Sequence, residues 1–212
     1  MTIQSTPLPA SMFERAQILG AATVHEAAGQ VGALPSAIKP VASGMQVCGT
    51  VVTVDCPPHD NLWLHRALYT DLPPTAVLVA SVGGAYEAGY WGEILAHAAL
   101  RRGVTGLVID GCVRDSALLT AANFPVFARG LCIRGTTKQP ATGGVNVPIT
   151  IGDVQVHPGD LVVGDADGLV VIASHQAEEA LAMADQRAAK EDSIHARIEA
   201  GERTLDIYGF ET

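Results

Sequence analysis

Short apolar runs alternate with helix-like segments through the middle of this chain, and this alternation constrains the fold most strongly. The runs at 76–82, 106–110 and 126–128 are too short for helices, so they are predicted to be buried strands. Helices are predicted between them, from about Gly92 and over 116–122. Alternating strands and helices are typical of a layered α/β domain.

Two longer helices are predicted near the ends of the chain. The first covers about 11–30, with Ser11 as its N-cap, and the second covers about 174–200, with Ser174 as its cap. The other expected elements are a β-rich segment at 45–54, a helix capped by Asp60 or Asn61 and running to Leu68, and short strands over 145–173. Residues 1–212 are therefore expected to form a single domain.

Composition narrows the class of protein. The chain has 212 residues, 48% of them hydrophobic, and a formal net charge of −9, which disfavours nucleic-acid binding. Cysteines 48, 56, 112 and 132 form no metal-binding spacing, so buried free thiols in a reducing cytoplasm are expected. No signal peptide or membrane-spanning run is recognisable, so a soluble cytoplasmic protein without a membrane partner is expected.

The segment from Trp91 to Asp115 contains the candidate site residues. A helix that opens at Gly92 offers backbone N–H groups to an anion. Glu93 stands twenty intervening residues before the pair Arg114–Asp115, which follows the next predicted strand. Because ligands bind at strand ends in open α/β sheets, these groups are expected to form one site for a small, metal-chelating organic acid.

Each of these residues also has a simpler explanation. Glu93 in a first helical turn stabilises the helix dipole, and Asp115 is suited to capping the helix over 116–122. An ordinary position on the protein surface would also explain Arg114. Asp110 either orients Arg114 or forms a turn with Gly111. The joint placement at one sheet edge, rather than any single residue, favours a site.

Residue types disfavour several chemistries. The seven histidines lack zinc-binding spacing, and no G-x-S-x-G or paired nucleophile is present. The three lysines, Lys39, Lys138 and Lys190, are expected to lie outside the site, which disfavours a Schiff-base aldolase. Oxygen ligands with few protein donors favour Mg²⁺ or Mn²⁺.

Motifs across nearly the whole chain carry a resemblance to a known family. They are ATVHEA (22–27), PPHDN (57–61), GYWGEIL (89–95), GVTGLVIDG (103–111), VRD (113–115), NVP (146–148), PGDLVVGDADGLVV (158–171) and ARIEAGERTLDIYG (196–209). Through them the chain resembles the RraA-like family, and within it the class II pyruvate aldolases acting on 4-hydroxy-4-methyl-2-oxoglutarate and 4-carboxy-4-hydroxy-2-oxoadipate. The resemblance implies a layered α/β sandwich of the RraA-like, swivelling-domain-like type with a long C-terminal helix.

The resemblance also implies roles for individual residues. Arg114 binds the pyruvyl substrate, and Asp115 holds the divalent metal, partly through water. The backbone N–H groups of Gly92, Glu93, Ile94 and Leu95 contact the substrate. Glu93 stands where similar aldolases carry aspartate, and it provides a second carboxylate for the metal.

The resemblance further implies a shared site in an oligomer. Glu191, or the adjacent Asp192, is expected to reach a neighbouring subunit's site, in a homotrimer or a hexamer made of two trimers. The two terminal helices are the expected contact elements.

The resulting functional hypothesis is a metal-dependent aldolase of 2-oxo acids with oxaloacetate decarboxylase activity, acting in aromatic-compound breakdown. Two alternatives remain: a non-catalytic RraA-type regulator of ribonuclease that acts by protein–protein binding, and a lyase or hydrolase of another small organic acid. The resemblance suggests that regulators carry glycine at the position of Glu93.

Overall fold

The structure is a computed structural model that describes residues 8–139 and 142–210. The helices in this part of the chain are α1 (Ala10–Ala27), α2 (Leu62–Ala67), α3 (Glu93–Arg101), α4 (Ser116–Ala121), α5 (Ala177–Glu199) and α6 (Thr204–Tyr208). The strands are β1 (Lys39–Pro40), β2 (Val47–Asp55), β3 (Ala76–Ser81), β4 (Val104–Val113), β5 (Val126–Leu131), β6 (Gly144–Val145), β7 (Ile149–Ile151), β8 (Val154–Val156), β9 (Leu161–Gly164) and β10 (Leu169–Ile172).

One large sheet organises the fold. Its strand order is β1-β5-β4-β3-β2-β9-β10, with β6 paired to β2, while β7 and β8 form a separate hairpin. Strands β2 to β5 are parallel neighbours; β9 pairs antiparallel with β2, and β10 pairs antiparallel with β9. The carboxyl ends of β2 to β5 therefore lie at one edge of the sheet.

Alternating side chains give the sheet two buried faces. In β3, Leu78 and Ala80 belong to one apolar cluster, whereas Val77 and Val79 belong to another. Helices α2 and α3 contribute to the first cluster, and the β7–β8 hairpin contributes to the second. A third cluster joins α1 and α5 to β9 and β10. This arrangement confirms the predicted layered α/β fold.

The terminal helices differ in detail from the sequence-based expectation. Helix α1 begins after Pro9 and ends at Ala27, so Ser11 lies within the helix and does not cap it. Gly20 interrupts α1 with φ 79° and ψ 160°, and the carboxylate of Asp165 accepts a hydrogen bond from the N–H of Ala21 at 2.8 Å. A 3₁₀ turn at Ser174–Gln176 precedes α5. Within the described residues, no helix is long and apolar enough to cross a membrane.

The cysteines are free thiols, as expected. Cys48, Cys56 and Cys112 are buried as predicted, whereas the prediction is wrong for Cys132, which is partly exposed at the end of β5. Burial raises the pKa of Cys48 and of Cys56 to about 12, so both remain protonated at neutral pH. Their role in the described structure is to fill the apolar clusters.

Candidate active site

Four loops meet at the carboxyl edge of β2 to β5. They cover residues 56–61, 82–92, 114–115 and 132–139. Backbone hydrogen bonds join them: the N–H of Arg114 donates to the carbonyl of Trp91 at 2.9 Å, and the N–H of Thr137 donates to the carbonyl of His59 at 2.8 Å. Since ligands bind at this edge of open α/β sheets, the loops form the candidate active site.

The amino terminus of α3 forms one wall of a pocket of about 80 Å³. Gly92 occupies the N-cap position, and Gly92, Ile94 and Leu95 line the pocket. The N–H of Glu93 donates to Oδ2 of Asp115 at 3.1 Å, and the Glu93 carboxylate lies 3.6 Å from Nδ1 of His97. Because the first N–H groups of a helix lack partners within it, this wall can bind an anion.

Arg114 and Asp115 form the second wall, directly after β4. The Nε atom of Arg114 lies 3.7 Å from Oδ2 of Asp115, and the two side chains are 45% and 37% exposed. Asp115 has φ 62° and ψ 34°, a left-handed conformation that strains a residue other than glycine by roughly 1–3 kcal/mol. Although Asp115 precedes α4, its carboxylate makes no capping hydrogen bond to that helix and binds α3 instead.

Two glycines allow the walls to approach each other. A β-carbon at Gly89 would lie 2.5 Å from the carbonyl oxygen of Cys132, which is a severe overlap. A β-carbon at Gly92 would overlap with Oδ2 of Asp115 and lie 3.2 Å from Cγ of Arg114. Glycine is therefore required where the loop before α3 passes the Arg114–Asp115 pair.

Asn61, His65 and Lys138 form the third wall of the pocket. The expectation that no lysine lies in the site is therefore wrong, because Lys138 lines the same pocket as Arg114. No spacing pattern pointed to His65 or Lys138, although Asn61 belongs to the PPHDN motif that contributed to the family resemblance.

Asp60 fixes this third wall. Only 3% exposed, it accepts hydrogen bonds from the N–H of Leu62 at 2.8 Å, the hydroxyl of Thr137 at 2.8 Å and the N–H of Gln139 at 2.6 Å. Burial acts to raise the pKa of Asp60, but these hydrogen bonds and the charge of Lys138 outweigh it and lower the pKa. The ionised carboxylate thereby connects α2 to the segment that carries Lys138.

Asn61 and Tyr90 connect the third wall to the loop before α3. The amide of Asn61 donates to the carbonyl of Tyr90 at 2.8 Å. The buried Tyr90 hydroxyl accepts from the N–H of His59 at 2.8 Å and donates to the carbonyl of Ala85 at 2.6 Å. Oδ1 of Asn61 is buried and accepts no hydrogen bond from the described residues, so it can serve a ligand or water.

Asp110 does not belong to the pocket. Strand β4 continues to Val113, so Asp110 lies within the strand and forms no turn with Gly111. Its carboxylate binds Nε of Arg129 at 2.6 Å, and the Arg129 guanidinium stacks over the ring of Tyr86 at 3.9 Å. Both interpretations made for Asp110 from the sequence are therefore wrong.

Of the two carboxylates predicted to bind a metal, that of Asp115 lines the pocket. Glu93 lies in the first turn of α3 but not in the pocket lining, and its carboxylate faces His97. Among residues 8–139 and 142–210, no three His, Cys, Asp or Glu side chains come together as a metal-binding set. Two partly exposed carboxylates still fit Mg²⁺, which keeps several waters and binds through one or two protein carboxylates. This donor set is unsuited to structural zinc, which uses four cysteine or histidine ligands.

Arg114 and Asp115 also line a wider opening of about 530 Å³. Its apolar lining includes Leu118, Leu131 and Ile133, which are 54%, 58% and 93% exposed. Large exposed apolar side chains in one patch mark interaction surfaces. The Arg114–Asp115 pair therefore lines both the small pocket beside α3 and this apolar surface.

Glu191 is separate from the pocket within this chain. It lies on α5 and forms an ion pair with Arg187 at 2.9 Å, and Arg187 lies 3.7 Å from Glu26 of α1. Its role in a neighbouring subunit's site stays a prediction.

The chain matches the sequence profile of the RraA-like family, described as Aldolase/RraA, over residues 21–171. The chain belongs to the RraA-like family. The matched segment includes all three walls of the pocket and excludes most of α1 and all of α5.

Individual relatives agree with this assignment. A protein of Halalkalibacterium halodurans with the provisional name 4-hydroxy-4-methyl-2-oxoglutarate aldolase is 36% identical over 175 residues, 82% of each chain. An uncharacterised protein from Pseudomonas syringae pv. tomato has a crystal structure that superposes with a TM-score of 0.80 at 31% identity, covering 94% of this chain and 97% of that chain. The RNA-processing inhibitor RraA from Thermus thermophilis superposes with a TM-score of 0.65 at 26% identity, covering 72% of this chain and 91% of that chain.

Proposed function

We propose that this RraA-like protein is a divalent-metal-dependent class II aldolase. Its substrates are 4-hydroxy-2-oxo acids, either 4-hydroxy-4-methyl-2-oxoglutarate or 4-carboxy-4-hydroxy-2-oxoadipate, which it cleaves to pyruvate and a second oxo acid. Oxaloacetate decarboxylation is a second activity of the same site. The observation that carries the proposal is one pocket lined by Arg114, Asp115 and the amino terminus of α3.

Substrate binding follows from the charges in this pocket. The N–H groups at Ile94 and Leu95 suit the carboxylate of the pyruvyl part, because a helix amino terminus stabilises negative charge. Asp115 would hold Mg²⁺ or Mn²⁺, partly through water, and Glu93 would provide a second carboxylate. The bound metal supplies Lewis-acid polarisation of the 2-oxo group.

Arg114 acts on the charge that develops during the reaction. When the bond between C3 and C4 breaks, its electron pair moves toward the 2-oxo oxygen and produces the enolate of pyruvate. The C4 hydroxyl loses its proton to a water or a side chain, and C3 later takes up a proton. The guanidinium of Arg114 donates hydrogen bonds to the enolate oxygen. Decarboxylation of oxaloacetate produces the same enolate, with CO₂ as the second product.

The complete site is proposed to include a neighbouring subunit in a homotrimer or a dimer of trimers. Helices α1 and α5 pack against each other on the outside of the sheet. Glu191 is 40% exposed near the end of α5, so it is available to a second copy of the chain.

A second candidate function is a non-catalytic, RraA-type regulator that binds a ribonuclease. The structural relative from Thermus thermophilis, which is called an RNA-processing inhibitor, favours it. Glu93 argues for the enzyme, because its carboxylate supplies the acidic group that the regulators are expected to lack at this position.

Pyruvate release from a panel of 4-hydroxy-2-oxo acids, measured with a coupled lactate dehydrogenase assay, tests the proposal. Treatment with EDTA should abolish release, and Mg²⁺ or Mn²⁺ should restore it. Full activity after exhaustive metal removal would contradict the metal-dependent mechanism. Absence of activity on the whole panel and on oxaloacetate, with metal present, would favour the regulator.

A further inference from the structure

The segment that carries Lys138 is fixed by hydrogen bonds to the buried carboxylate of Asp60. Asp60 binds the residues on both sides of Lys138, at the Thr137 hydroxyl and at the N–H of Gln139. The backbone bonds from Asn61 N–H to the Thr137 carbonyl, 3.1 Å, and from Thr137 N–H to the His59 carbonyl, 2.8 Å, fix the same segment. Because its neighbours in sequence are fixed in this way, Lys138 is held where it lines the pocket.

No residue in the described part of the chain pairs directly with the charge of Lys138. Within residues 8–139 and 142–210, its ammonium forms no ion pair or hydrogen bond with another side chain. It acts on its neighbours from a distance: burial first, and then the charge of Lys138, lower the pKa of His65. The third wall of the pocket therefore presents a cation next to an imidazole.

The balance of charge identifies the ligand that this wall suits. A bound divalent metal would offset the carboxylates of Asp115 and Glu93. The Asp60 carboxylate is taken up by three hydrogen bonds and does not line the pocket, so Arg114 and Lys138 are the two cations that face the ligand. A substrate with a single carboxylate compensates only one of them. A dicarboxylic 2-oxo acid compensates both, because Arg114 and the α3 terminus serve the pyruvyl end and Lys138 is left for the other end.

We propose that Lys138 binds the distal carboxylate of a dicarboxylic substrate and thereby determines its selection over monocarboxylic analogues. This assignment rests on the proposed aldolase function. Binding a carboxylate uses the positive charge of Lys138, whereas a Schiff base would require a neutral amine. Lys138 is thus a specificity-determining residue and not a covalent catalyst.

Two substrates that differ only in the distal group provide the test. They are 4-hydroxy-4-methyl-2-oxoglutarate and 4-hydroxy-4-methyl-2-oxopentanoate, in which a methyl group replaces the distal carboxylate. We expect Lys138→Met to lower kcat/KM for the first by at least about 10-fold, mainly through KM, because a hydrogen bond to a charged group is lost. The second substrate should change by less than about 2-fold, and Lys138→Arg should retain part of the preference.

Lys39→Met is the matched control, because the Lys39 ammonium donates to the backbone carbonyl of Asp167, outside the pocket lining. It should leave the preference for the carboxylated substrate unchanged. An equal loss on both substrates in Lys138→Met, or no loss on either, would overturn the assignment. A borohydride-trapped pyruvate adduct on Lys138 would overturn it as well.

Binding without turnover separates this proposal from the proposed function. Calorimetry with Mg²⁺ present compares 2-oxoglutarate with 2-oxopentanoate, which again differ in the distal carboxylate alone. Tighter binding of 2-oxoglutarate that disappears in Lys138→Met would support the subsite even in a protein that cleaves no substrate. Equal affinity of the wild-type protein for both ligands would refute the subsite while leaving the aldolase proposal to the pyruvate assay.

Discussion

Replacing Arg114 with lysine separates a catalytic arginine from an ordinary surface arginine. The substitution keeps the positive charge and the backbone hydrogen bond from Arg114 N–H to the Trp91 carbonyl, 2.9 Å. It removes the planar guanidinium, which can donate two parallel hydrogen bonds to one ligand. A surface role depends mainly on charge, whereas binding of a pyruvyl group and its enolate depends on the guanidinium.

The stability of the variant should change little. Arg114 is 45% exposed, and its nearest carboxylate, Asp115, is 3.7 Å away. An exposed ion pair of this kind contributes about 0–1 kcal/mol, and lysine retains part of it. For a chain of 212 residues, a change of ~1 kcal/mol shifts Tm by about 2–4 °C.

Turnover should change far more. Removing one preorganised donor to a developing oxyanion typically lowers kcat by roughly 10²–10³-fold, or about 2.7–4 kcal/mol. Because that loss exceeds the expected stability change, activity and stability should separate clearly in Arg114→Lys.

Steady-state pyruvate release and thermal unfolding, measured on the same preparations, test this expectation. Arg101→Lys is the matched control, because Arg101 is exposed at the end of α3 and does not line the pocket. It should leave both quantities unchanged. A stable Arg114→Lys protein with wild-type turnover would refute the role assigned to the guanidinium.

Two further substitutions test the packing of the site and its sharing between subunits. Gly92→Ala introduces a β-carbon that overlaps Oδ2 of Asp115, so we expect a stability loss of roughly 1–3 kcal/mol and a large loss of pyruvate release. Gly135→Ala is the control, because no atom lies within 4 Å of a β-carbon placed there. Wild-type stability and activity of Gly92→Ala would contradict the close approach of Gly92 and Asp115. Glu191→Ala should lose most of its pyruvate-releasing activity while the oligomer persists. Mixing it with Arg114→Ala should restore part of that activity, because hybrid oligomers contain sites with both wild-type residues. No recovery in subunits shown to exchange would count against a shared site.

Local patterns in the sequence were sufficient to predict the sheet edge that carries Arg114 and Asp115. The apolar runs of β3 and β4 are continuous and short, and Gly92 marks the start of α3. Parallel strands bring their carboxyl ends to one edge, so the positions of these elements were enough to predict where the two residues lie. Neither the order of the strands nor the roles of the residues was needed for this step.

The third wall could not be predicted, because long-range hydrogen bonds assemble it. Asp60 binds Thr137 and Gln139, which are 77 and 79 residues away in sequence. Asp110 was misassigned for a related reason: its partner Arg129 lies on the neighbouring strand β5, and the sequence does not specify which residues face each other across two strands. Both errors concern pairings between elements rather than the elements themselves.

The backbone at Asp115 explains how two consecutive residues serve one pocket. In an extended strand, successive side chains point to opposite faces, so a continuation of β4 would place Arg114 and Asp115 on different sides. The left-handed conformation at Asp115, φ 62°, breaks this alternation, and both side chains line the same pocket. The carboxylate then binds the N–H of Glu93 on α3 rather than its own helix, at the point where Gly92 leaves room for it. The local strain is thus the structural condition for placing a guanidinium and a carboxylate side by side at a helix amino terminus.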